Sequence, residues 1–160
     1  MISAQERDKV WDLIEPLGTC MMATWNGDFA HARPMHHVGD FSEGTLLYFT
    51  RLGSDKVVEL NQHHDVCLAY ACPKDQTYVS LSGVAETFRD QALIDEYWNS
   101  FVGAWFPEGK DDASVGLIRV HVSKAEYWDS TSNKMVQLFE IAKANLTDTL
   151  PDMGENKKLG

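Results

Sequence analysis

The sequence predicts a mainly β domain with peripheral helices, six strands arranged as a barrel or sandwich. Three observations carry that prediction. Runs rich in β-branched and aromatic residues recur along the 160 residues, turn residues join them in pairs, and helical apolar spacing is confined to short stretches between or outside them. The length suits one domain with a single core, taken as residues 1–150, with the polar stretch 151–160 as a mobile tail.

Each element follows in order. From Ser3 to Leu17 the residues Val10, Leu13, Ile14 and Leu17 recur at helical spacing, and Pro16-Leu17-Gly18 ends the segment. Thr19 to Trp25 and Phe29 to His37 flank Asn26-Gly27, a hairpin signal. Thr45 to Thr50 (TLLYFT) forms a third strand after the turn Asp40 to Gly44. Ser54 can cap a short helix running to about Gln62, with Val57, Val58 and Leu60 on its apolar side. A second hairpin joins Val66 to Cys72 and Tyr78 to Phe88 across the turn residues 73–76, with a bend expected at Gly83. Asp90 starts a helix whose stripe Leu93, Ile94, Tyr97, Trp98 and Phe101 ends near Gly103. Val115 to Val122 and Glu126 to Trp128 supply the last strand material, and an amphipathic helix follows near Val136 to Ala144.

Charge and composition exclude several functions. A net charge of -10 and a pI near 4.9 oppose binding to nucleic acid or to an anionic membrane surface. A local group of cations can still hold one small anion against that mean field. No apolar run reaches bilayer length and the first residues lack the pattern of a secretory signal, so a cytoplasmic location is expected. Cys20, Cys67 and Cys72 have no paired spacing and read as reduced, mostly buried small hydrophobes.

The stretch Tyr48 to Lys56 is the most informative. A strand there passes through a turn into a helix start, where free amides and the Thr50 and Ser54 hydroxyls offer donors and Arg51 and Lys56 offer charge. Phosphate is the expected ligand. The plainer alternative is that Ser54 only caps the helix while Lys56 is solvated.

Several pieces in order carry a family resemblance over roughly Leu17 to Ser130. They are His31-Ala32-Arg33-Pro34-Met35, then Leu47 to Thr50 leading to Gly53-Ser54-Asp55-Lys56, the strand around Gly83, and Glu126-Tyr127-Trp128-Asp129. With them the chain resembles the pyridoxamine 5'-phosphate oxidase-like superfamily, and more closely its general stress protein 26 branch. The resemblance implies a six-stranded antiparallel split β-barrel that binds FMN, in preference to FAD, at the interface of a homodimer. It implies that Arg33 and Lys56 reach the phosphate or ribose with Thr50 and Ser54 nearby, and that Pro34, Met35, His36 and Phe49 flank the isoalloxazine. Tyr78 falls where oxidase relatives often carry an amide side chain for the flavin, and Trp128 matches an interface aromatic beside the cofactor.

Departures from the oxidase pattern matter too. After Trp128 the chain reads Ser130 to Leu138 with Lys134 as its one cation, where true oxidases carry an arginine and histidine cluster for substrate. Asp55 stands where a basic residue is usual. Vitamin-forming oxidase activity is therefore not expected. His36-His37 and His63-His64 lack the spacing of a metal site, Ser80 and Ser82 lack a nucleophile elbow, and Trp105-Phe106 stays unassigned. The leading expectation is a flavin-dependent oxidoreductase of unknown substrate. Its rivals are a stress protein that only binds or sequesters flavin, and a split barrel that holds haem or a deazaflavin.

Overall fold

Six antiparallel strands close into a barrel in a computed structural model, which describes residues 2–41, 43–130, 134–147, 150, 152 and 154–160. The strands are β1 (Thr19–Trp25), β2 (Ala30–Val38), β3 (Thr45–Arg51), β4 (Asp65–Cys72), β5 (Thr77–Phe88) and β6 (Val115–Ser130). Their order is β3-β2-β1-β4-β5-β6, and the β3–β6 ladder, Thr45↔His121 through Arg51↔Val115, closes the ring. Inward positions alternate along each strand and bury Met22, Met35, Leu46, Tyr48, Leu68, Leu81 and Val120 in one core. The helix α1 (Ala4–Ile14) caps that core through Val10 and Ile14, and starts on a capping box between Ser3 and Glu6.

The β5–β6 pair is the spine of the barrel, and its register shifts between Ser82 and Gly83. A Cβ on Gly83 would lie 2.2 Å from the His121 carbonyl oxygen, so only glycine lets the two backbones approach there. The bend expected at this glycine is therefore a bulge that lets β6 serve two partners. Its first half pairs with β3 and its second half with a further strand, β7 (Gly154–Leu159).

Several expectations need correcting. Residues 154–159 form β7 and bury Leu159, where a mobile tail was expected; unpaired backbone at the far half of β6 outweighs the polar side chains. The helix expected from Asp90 to Gly103 is two, α3 (Gln91–Tyr97) and α4 (Ser100–Trp105), because Trp98 is extended and the Asn99 side chain caps α4 at the Val102 amide. Asn26-Gly27 is part of a longer connection in which Asn26 Oδ1 accepts from the Asp28 and Phe29 amides at 2.9 Å. The segments Val115 to Val122 and Glu126 to Trp128 are one continuous strand. The expected tail helix is present as α5 (Lys134–Thr147). No helix among the described residues is long and apolar enough to cross a membrane.

Candidate functional site

The barrel is open along the seam between β2 and β3. Strands β2 and β3 pair only at His37↔Tyr48 and Val38↔Leu47, and beyond that point they diverge. Pro34 lies on the diverging stretch and has no N–H to give a ladder. On the outer side of the seam α3 and α4 pack over β3 and β6 through Phe49, Ile94, Val102, Phe106, Val115 and Leu117, a second apolar cluster separate from the barrel core. A cavity of about 380 Å³ occupies the space between the diverging strands, α4 and the start of α2 (Asp55–Gln62).

Eight of the residues expected at a site line this cavity. Arg33, Pro34, Met35 and His36 come from β2, Phe49 and Thr50 from β3, and Ser54 and Lys56 from the turn and first turn of α2. Tyr78 and Trp128 do not line it. They are direct cross-strand partners on β5 and β6, with Trp128 39% exposed.

The cavity has an apolar side and a cationic end. Met35, Phe49, Phe101 and Phe106 give the apolar side, and Trp105, 68% exposed, stands at its edge. At the other end Lys56 is half-buried and donates to Thr50 Oγ1 at 3.3 Å and Ser54 Oγ at 3.4 Å. No carboxylate pairs with it among the described residues. Burial first, and the nearby Arg33 charge second, lower the Lys56 pKa. Ser54 holds the N-cap backbone conformation, yet its hydroxyl makes no capping bond and is free to face the cavity. The capping alternative for Ser54 therefore fails, and an ammonium with neutral partners in a lowered dielectric is a place where an anion gains most.

His36 borders the same space. Its Nδ1 lies 3.0 Å from Thr19 Oγ1 and its ring 4.8 Å from Phe101. Gly18, at φ +67°, lets it sit there, since a Cβ would come 2.4 Å from His36 Cε1. The neighbouring His37 points into the barrel, where its Nδ1 lies 2.9 Å from the Tyr70 hydroxyl. Burial, then the His36 charge, pushes the His37 pKa down to about 4. Tyr70 lies 2.9 Å from the Tyr48 hydroxyl, which in turn lies 3.6 Å from Cys20 Sγ, a thiol that burial pushes up to about 11. These groups satisfy one another and do not open on the cavity.

Sequence reasoning missed three features. Phe101 and Trp105 reach the site from α4, and nothing in their local pattern distinguishes them from core aromatics. Arg51, expected to lend charge, gives it to Glu108 at 2.8 Å and to the Trp105 carbonyl at 3.2 Å, while its guanidinium stacks 5.3 Å from the Phe106 ring centre. Glu59 of α2 takes an ion pair from Arg33 at 2.7 Å. Residues 131–133, in the segment expected to lack a substrate cluster, lie outside the described residues.

Comparison with known proteins adds to this geometry. The family model described as "Pyridoxamine 5'-phosphate oxidase like" matches residues 5–152. A general stress protein 26 structure from Jannaschia sp. CCS1 is similar, with TM-score 0.74 and 26% identity over 98% of this chain and 99% of that one. So is the general stress FMN/FAD binding protein of the phytopathogen Xanthomonas citri, with TM-score 0.71 and 27% identity over 82% of this chain and 93% of that one. Among curated proteins, Protein bli-3 of Neurospora crassa is 27% identical over 110 residues, 64% of this chain and 53% of its own length. The chain thus spans about half the length of that curated relative.

Proposed function

The chain belongs to the pyridoxamine 5'-phosphate oxidase-like family, and from that premise we propose that it binds a flavin, FMN in preference to FAD, in the cleft between β2 and β3. The observation that carries this reading is the two-sided cavity, apolar and aromatic along Met35, Phe49 and Phe106 and cationic at Lys56. A flavin mononucleotide has matching halves, a flat apolar ring system and a phosphate. The volume falls in the range of small-ligand sites. The relative from Xanthomonas citri, named for FMN/FAD binding, supports the same class of ligand.

In this reading Lys56, Thr50 and Ser54 hold the phosphate, and Met35 and Phe49 exclude water from the ring. Met35 and Phe49 come from the two diverging strands, so a bound ring would meet apolar side chains carried by strands rather than by a flexible loop. A bound flavin supplies hydride or single-electron transfer, and the protein supplies orientation and electrostatics. The chain is then a flavin-dependent oxidoreductase. Formation of pyridoxal phosphate is not part of this reading, because the stretch after Trp128 offers one lysine where a bidentate arginine is needed to fix a substrate phosphate.

A homodimer completes the reading. Met21 (44% exposed) and Trp25 (43%) on β1, and Val84 (47%) on β5, leave an apolar barrel face uncovered. A second copy of the chain on that face would bury them. Sedimentation should show a dimer at micromolar concentration, and a monomer that still binds FMN tightly would contradict it.

Titration of the purified chain with FMN, FAD and riboflavin, followed by flavin fluorescence, tests the main proposal. Saturable binding of one FMN per protomer, tighter than riboflavin, is expected. Folded protein that binds none of the three would overturn it.

A further inference from the structure

Two arginines and one lysine line the cavity, and both arginines already have carboxylates. Arg33 donates from Nη2 to Glu59 Oε2 at 2.7 Å and to His31 Nδ1 at 2.9 Å. Its Nη1 donates to Thr24 Oγ1, and the Thr24 hydroxyl donates to the same Glu59 oxygen. The Arg33 and Glu59 side chains are only 15% and 11% exposed, so the pair is shielded from solvent. Arg51 is spent on Glu108, and Asp55 adds an exposed negative charge in the first turn of α2. Lys56 alone among these cations has no carboxylate partner among the described residues.

Resting on the flavin reading above, we propose that Glu59 is an internal competitor for the flavin phosphate. It keeps Arg33 in an ion pair, so the cavity meets a phosphate with one uncompensated cation and the flavin exchanges with solution rather than staying resident. The physical reason is that Arg33 has no edge with two free N–H groups left for a second anion, because Nη2 serves Glu59 and His31 and Nη1 serves Thr24. A bidentate phosphate contact uses the edge of the guanidinium that Glu59 and Thr24 already occupy. Breaking the pair to reach a phosphate would leave the Glu59 carboxylate buried and unpaired beside an incoming anion that carries close to two negative charges at neutral pH. Glu59 thus sets how tightly the site holds a phosphorylated flavin and leaves its affinity for an unphosphorylated one alone.

The test compares FMN and riboflavin affinities by fluorescence in the wild type, in Glu59→Gln, and in the double variant Arg33→Gln/Glu59→Gln. Glu59→Gln frees the guanidinium and should tighten FMN about tenfold or more, with riboflavin unchanged within about twofold. The double variant removes both charges of the pair together, and its FMN affinity should stay within about threefold of wild type. If Glu59→Gln weakens FMN or leaves it unchanged in a folded protein, the proposal is wrong. A loss of about tenfold or more in the double variant would show that Arg33 already contacts the phosphate, and would overturn the proposal even where the single variant does not fold. A wild type that binds no flavin at all would instead remove the reading on which the proposal rests.

Discussion

The inside of the barrel and the seam beside it use the same residue types to opposite ends. Inside, His37, Tyr70, Tyr48 and Cys20 form a chain in which each polar atom answers the next, and burial holds His37 neutral. In the seam, Lys56 is half-buried and meets only neutral hydroxyls, while the Ser54 hydroxyl caps nothing. A buried polar group that is satisfied fixes structure, and one left with a deficit marks where a ligand belongs. The difference comes from topology. The β1–β2 ladder runs the whole length of β1, whereas β2 and β3 share two pairs and then part, which opens the space that Lys56 and Ser54 border.

The largest expected effect lies on the interior side. His37 has a folded-state pKa of about 4, below the ordinary unfolded value of about 6.5. The unfolded chain therefore takes up a proton that the folded chain refuses. The contribution is complete above about pH 6.5, falls as pH drops toward 4, and amounts to roughly 3 kcal/mol over that window. Urea denaturation at several pH values should show this slope, and His37→Gln should flatten the part between pH 6.5 and 5, where carboxylates are still ionised. An equally steep slope in the variant would mean that the interior chain does not hold His37 neutral.

Lys56→Ala sharpens the seam side. It removes the one cation without a carboxylate, and FMN affinity should fall by about 1.5 to 3 kcal/mol, the size of a charge-assisted contact. Riboflavin binding and fold stability should barely move. An equal loss for both flavins would place the phosphate elsewhere.

Tyr70→Phe is the smaller, reciprocal test. Its hydroxyl lies between His37 and Tyr48, so its loss should cost about 1 to 2 kcal/mol of stability, between a lost net hydrogen bond and a fully unsatisfied group. Flavin affinity should stay the same. A variant with native stability and weakened flavin binding would join the two regions that the structure keeps apart.

Much of this arrangement is legible in the sequence because local pattern and tertiary role agree. Asn26-Gly27 between apolar runs, the TLLYFT strand and the apolar spacing of Val10, Leu13 and Ile14 each name an element that the barrel then uses. What escaped depends on distant partners. Glu59 reads as one polar residue of an amphipathic helix, and only the fold brings Arg33, 26 residues away, against it. Arg51 reads as a free cation until the loop after α4 returns Glu108, 57 residues on, to its side. β7 is a strand because the second half of β6 has an open edge, a fact about β6 that the GENKKL segment does not contain. Tyr78 and Trp128 illustrate the converse: their own strands are read correctly, yet their place relative to the cavity follows from barrel closure, which sets them against each other and away from the seam.

The central claim is that a phosphorylated flavin sits in the β2–β3 seam with its phosphate at Lys56. The crystal structure of the FMN-saturated protein tests it most directly. The isoalloxazine should lie against Met35 and Phe49, with a phosphate oxygen within hydrogen-bond distance of Lys56 Nζ and the Arg33–Glu59 pair intact. Flavin density outside the seam, or a phosphate bound away from Lys56, would contradict the account.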